Sequence, residues 1–177
     1  MCLDARLRCR HVARPGHVDD ATARPIGTTR EIALDSRGMF RTAAHRLTIL
    51  LTVAFAVSVV HYVDNTMNYE AYPVSSSIPN PSQGLVGFSW FLFTAFGIAG
   101  YVLFRRGEIR RAALLLSVYS GSGLVGIGHY TVPGATDLVW WRQAHIVADI
   151  LCGVAILAFA VWSVRTLRDA EVGTASG

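Results

Sequence analysis

Residues 85–104 read LVGFSWFLFTAFGIAGYVLF, a run without one charged side chain. A helix rises about 1.5 Å per residue, so this run is as long as a bilayer's hydrocarbon core is thick, about 30 Å. A surface helix of a soluble protein carries one apolar stripe, whereas this segment is apolar on every face. Three more segments repeat the pattern: 47–62 (LTILLTVAFAVSVVHY), 112–132 (AALLLSVYSGSGLVGIGHYTV) and 144–164 (AHIVADILCGVAILAFAVWSV). The first is short for a span, and Ala43, Ala44 and Val63 can lengthen it. The strands of a membrane barrel are shorter and alternate in polarity, which excludes a barrel. The expected fold is all-α: a polytopic membrane protein built as a four-helix transmembrane bundle.

Composition agrees. Of 177 residues, 52% are hydrophobic and 16% charged, with a mean hydropathy of +0.39. Soluble domains carry about 25% charged residues. Abundant Leu, Val, Ile and Phe exclude a disordered chain. Three cysteines, Cys2, Cys9 and Cys152, are too few for a disulfide scaffold.

Three regions follow. Residues 1–38 hold seven arginines and five acids without helical or strand periodicity, and read as a disordered tail. Met39 is a second candidate start, which would leave that tail untranslated. Residues 39–168 form the transmembrane domain, and 169–177 a short polar tail.

The net charge is +4 and the pI about 9.3, with sixteen arginines and no lysine. A basic pI is compatible with nucleic-acid binding. Here, however, the arginines sit beside the apolar spans, the pattern of the positive-inside rule. Nine of them (37, 41, 46, 105, 106, 110, 111, 165, 168) fall on one side and only Arg142 on the other. Both termini are therefore expected in the cytoplasm of a multi-pass cell-membrane protein. Loops 64–84 and 133–143 face outward, the lipid bilayer is the partner, and nucleic acid is not. Tyr69, Tyr72, Trp140 and Trp141 suit the outer interface. Pro73, Pro79 and Pro81 exclude a long helix in the first outer loop.

One motif misleads. Gly121-Ser122-Gly123-Leu124-Val125-Gly126 matches the dinucleotide fingerprint G-x-G-x-x-G, which needs a preceding strand and a helix N-terminus. This copy lies inside an apolar span. Ser117, Gly121, Ser122, Gly126 and Gly128 instead read as small residues that let helices pack closely.

The chemistry gathers elsewhere. Alternating topology puts His61, His129 and His145 within about a turn of the same membrane face. Asp64 follows His61 by three residues, and Asp149 follows His145 by four, on one helix face. An aspartate inside a span costs about 2.5–3.5 kcal/mol on insertion scales. Asp149 therefore needs a partner, with His145 or His129 the simplest. Three imidazoles and a carboxylate from separate helices are the ligand types of zinc or another divalent metal. The expectation is that His61, His129 and His145 hold the metal, with Asp149 or Asp64 as fourth ligand or catalytic base. Such a site would make a metal-dependent hydrolase for an amphiphilic substrate.

Three other readings share these residues. The His/Asp contacts can simply lock helices in a non-enzymatic membrane component. Two histidines, His61 with His129 or His129 with His145, can ligate haem in a redox protein. A proton relay is the third, weakened because only Asp149 lies deep in a span. Asn65, Asn68, Glu70 and Tyr72 read as ordinary loop residues or as the mouth of the site. Cys152 reads as a small buried apolar residue.

Overall fold

In a computed structural model the chain is described over residues 29–75 and 79–175. Its secondary structure there is entirely helical: α1 (Thr29–Met67), α2 (Gln83–Arg105), α3 (Ile109–Leu124) and α4 (Trp140–Ala175), with three short 3₁₀ segments. Four stretches are long and apolar enough to cross a membrane, Arg37–Met67, Gln83–Arg105, Ile109–Thr131 and Trp140–Leu167. The molecule fits an integral membrane protein. Its outward faces support this: Phe88, Phe91, Ile98, Leu114 and Leu151 are all exposed, an apolar surface that only lipid or another apolar partner would cover.

The helices outrun the sequence expectation at two ends. α1 begins at Thr29, so residues 29–38 are helical where the sequence suggests disorder. The stretch Glu31-Ile32-Ala33-Leu34 contains good helix formers, which extend the span into a polar segment. The expected polar tail from Asp169 is likewise helical through Ala175. Residues 1–28, with Cys2 and Cys9, lie outside the described residues.

The helices pack in order around a square, α1 against α2, α2 against α3, α3 against α4 and α4 against α1. Ser82 caps α2, its hydroxyl accepting from Leu85 N. The α2–α3 turn is a Schellman motif: Gly107 takes φ +83°, Glu108 N donates to Leu103 O and Gly107 N to Phe104 O. The positive φ is why glycine stands there.

The apolar core occupies the arginine-rich half, where Leu47, Phe104, Leu116 and Ile156 are almost fully buried. In the other half the closest approach is between α3 and α4. A Cβ added to Gly123 would lie 2.1 Å from the Asp149 carbonyl oxygen, and one added to Gly153 would lie 2.7 Å from the Ser120 carbonyl oxygen. The glycines of the misleading motif are thus a packing surface. The register is set by Gly123 and Gly153, while Gly128 meets nothing within 4 Å.

Beyond this contact α3 does not continue as an α-helix. Val125–Thr131 is a 3₁₀ helix, which carries His129. Gly126 and Gly128 lower the helix preference of this stretch.

Candidate functional site

The three histidines and two aspartates do meet at the arginine-poor end of the bundle. Imidazole centroids are 5.3 Å apart for His61 and His145 and 5.7 Å for His61 and His129. α1 supplies His61, Asp64 and Asn65, the 3₁₀ segment supplies His129, and α4 supplies Arg142, His145 and Asp149. All but His129 and Arg142 are buried.

The cluster divides into two halves. On one side, polar groups are matched. The Tyr72 hydroxyl donates to Asp64 Oδ2 in a short hydrogen bond, Asn68 Nδ2 donates to Asp64 Oδ1 at 2.7 Å, and Arg142 Nε donates to Asp64 Oδ2 at 3.2 Å. The Arg142 guanidinium also stands over the rings of Tyr72 (5.4 Å) and Trp141 (5.0 Å). Asn65 Nδ2 lies 3.3 Å from His129 Nε2, and the His129 ring packs on Tyr72 at 5.1 Å. Asp64 thus ties α1, the following loop and α4 together, and its lone pairs are engaged.

On the other side they are not matched. His61 Nδ1, both ring nitrogens of His145 and Asp149 Oδ2 are buried without a hydrogen-bond partner. His145 Nε2 stands 3.4 Å from Asp64 Oδ2 but without hydrogen-bond alignment. His61 Nδ1 and Asp149 Oδ2 are 3.9 Å apart. Buried polar atoms in native proteins nearly always have partners, and an unmatched one costs about 1–3 kcal/mol. Four in one place leave this corner of the bundle with unused capacity to hold a ligand.

Several expectations change. The neighbour of Asp149 is His61 on α1, because the α3–α4 glycine contact rotates Asp149 inward toward α1. Asp64 accepts hydrogen bonds from Asn68, Tyr72 and Arg142 rather than standing open beside Asp149. Among the described residues no three His, Cys, Asp or Glu side chains stand ready to hold one ion as placed. A haem between His61 and His129 would have to push apart rings that are already in contact.

Tyr72 is buried rather than interfacial, whereas Trp140 is 80% exposed. Asn65, Asn68 and Tyr72 belong to the network, and Glu70 is exposed outside it. Arg142 was legible only as a topology marker. Its position three residues before His145 puts both on one helix face, the signal that could have found it. Tyr62, whose hydroxyl donates to Ser122 O at 3.2 Å, adjoins His61 and was also missed.

Burial and the adjoining Asp64 carboxylate push the Tyr72 hydroxyl above the usual tyrosine range. The folded state then holds this proton more tightly than the unfolded chain. The resulting stability is complete below the unfolded value of about 10 and is lost as pH rises past it. Alkaline unfolding in detergent should therefore set in above about pH 10 for the native chain, with a smaller pH dependence for Tyr72→Phe. Equal alkaline profiles would show that the phenol is not held by Asp64.

No family model, curated protein or solved structure matches this chain.

Proposed function

We propose that the unmatched half of the cluster is a divalent-metal site of a membrane-embedded protein, with His61 and Asp149 as its first two donors. One observation supports this reading: His61 Nδ1 and Asp149 Oδ2 are both buried, make no hydrogen bond and face each other at 3.9 Å. At a tetrahedral angle, metal–nitrogen and metal–oxygen bonds of about 2.0–2.2 Å set their donors about 3.4 Å apart, so a single ion bridges this gap after the two side chains close by about half an ångström. His145, whose Nδ1 makes no hydrogen bond and whose Nε2 faces Asp64 Oδ2 at 3.4 Å, stands beside His61 and is the third donor after a side-chain rotation. His129, held by Asn65 and Tyr72, forms the wall. Asp64 is a positioning residue that fixes Arg142 and Tyr72 around the site.

An ion with three protein donors keeps a position for water, the arrangement of a metal-dependent hydrolase. The positive-inside rule turns this end of the bundle outward. A substrate arriving there from the bilayer is an amphiphile. In the competing reading, favoured by the engaged state of Asp64, the whole cluster is a helix lock.

Elemental analysis of detergent-purified full-length protein, followed by zinc titration, separates the two. About one bound equivalent per chain is expected for such a site, with loss in His61→Ala and in Asp149→Ala. His45→Ala, on the arginine-rich half of α1, should keep it. A folded native protein that carries no metal and is not stabilised by added zinc ends the metal reading and leaves the lock.

A further inference from the structure

A second feature lies in the opposite half of the bundle. Between α1 and α2 runs a groove of about 320 Å³, large enough for a ligand by the usual size of binding pockets. Leu51 and Phe55 form one wall and Gly97 and Ile98 the other. Tyr119 of α3 is the floor, and it fits because position 97 has no side chain: a Cβ there would lie 2.9 Å from the Tyr119 ring. Phe55 and Ile98 are 44% and 62% exposed, so the groove opens sideways, toward lipid. The Thr52 hydroxyl is turned back onto Thr48 O at 2.9 Å, which leaves this wall apolar.

Thr94 brings one unpartnered hydroxyl to the far part of the groove, but a cationic group stands only at the other end. Thr48 and Tyr101 line that end and share a hydrogen bond of 3.1 Å. Arg105 Nη1 donates to the Tyr101 hydroxyl at 3.0 Å, which fixes the guanidinium over the end of the groove. Among the described residues no carboxylate forms an ion pair with Arg105, Arg106 or Arg110. An apolar channel open to the bilayer, ending at an anchored and uncompensated cation at headgroup depth, has the polarity of one molecule type.

We infer that the α1–α2 groove binds an anionic phospholipid from the arginine-rich leaflet, its acyl chain along Leu51, Phe55 and Ile98 and its phosphate at Arg105. The inference is independent of the metal reading, because the two features lie in opposite halves of the bundle. Charge selects the lipid, because a zwitterionic phosphatidylcholine offers the same phosphate but adds a quaternary ammonium that the Arg105 guanidinium repels. The groove then holds the chain in register with that headgroup, which distinguishes it from the surrounding solvent lipid.

Native mass spectrometry of the full chain released from detergent, with phosphatidylglycerol or phosphatidylcholine added, tests this. The native chain should retain one phosphatidylglycerol in preference to phosphatidylcholine. Thr52→Trp, which fills the groove from an already exposed position, should lose it. Arg105→Gln should weaken retention about fivefold, the contribution of one arginine at an anionic surface, and Arg110→Gln should leave it unchanged. Equal retention of the two lipids would overturn the inference, as would retention unaffected by Thr52→Trp. A phosphate-free apolar molecule co-purifying in the groove would overturn it too. Circular dichroism of each variant separates loss of lipid from loss of fold.

Discussion

Gly123→Ala is expected to destabilise the bundle by about 3 kcal/mol or more, at or above the upper end of the usual range for overpacking. The added methyl would lie 2.1 Å from the Asp149 carbonyl oxygen and 3.2 Å from Gly153 N. Both are backbone atoms of a continuous helix, so neither can swing aside as a side-chain tip would. Relief requires α3 and α4 to separate, and dispersion contact between small residues is what holds membrane helices together. Separation also turns Asp149 away from His61, so any metal binding should fall with stability. Gly128→Ala is the control. Nothing lies within 4 Å of its added Cβ, and the change should stay within about 1 kcal/mol. Reversible unfolding in mixed detergent micelles gives both values, and equal stability of the two variants would disprove the close α3–α4 contact.

Asp64→Ala should cost about 3 kcal/mol, the lower end for breaking a buried ion pair. The Arg142 side chain is only 15% exposed and Asp64 7%. Removing the carboxylate strands the guanidinium and leaves the Tyr72 hydroxyl without its acceptor. The rings of Tyr72 and Trp141 retain some of the attraction for Arg142, which places the effect at the low end. Asp64→Ala combined with Arg142→Met should recover most of the loss, because an uncompensated buried charge is worse than none. Strictly additive single and double variants would mean that Asp64 and Arg142 do not act as a pair.

How much of this was legible in the chain differs from element to element. The four spans were readable because a bilayer imposes its thickness on any helix that crosses it, and Leu85–Phe104 meets that demand in composition alone. The gathering of His61, His129 and His145 was readable too, since alternating helices return corresponding ends to one level. The helical ends of α1 and α4 were not. Residues 29–38 and 169–175 are polar, and there a helix persists by propagation from the span rather than by any apolar period. The 3₁₀ turn at Val125–Thr131 was hidden because its glycines, Gly126 and Gly128, read equally as close-packing residues of a continuing helix.

The sequence alone determined that this protein is a bundle of four helices long and apolar enough to cross a membrane, and that its candidate site residues collect at the arginine-poor end, because hydropathy and chain alternation act one residue and one crossing at a time. Which partners those residues took was decided only by the tertiary structure. The glycine contact at Gly123 and Gly153 rotates α4 so that Asp149 faces α1. Arg142 then engages Asp64, and His61, His145 and Asp149 are left with unpaired atoms. Such pairing depends on the angular setting of one helix against another, to within a fraction of a turn, and no periodicity along a single chain encodes that angle.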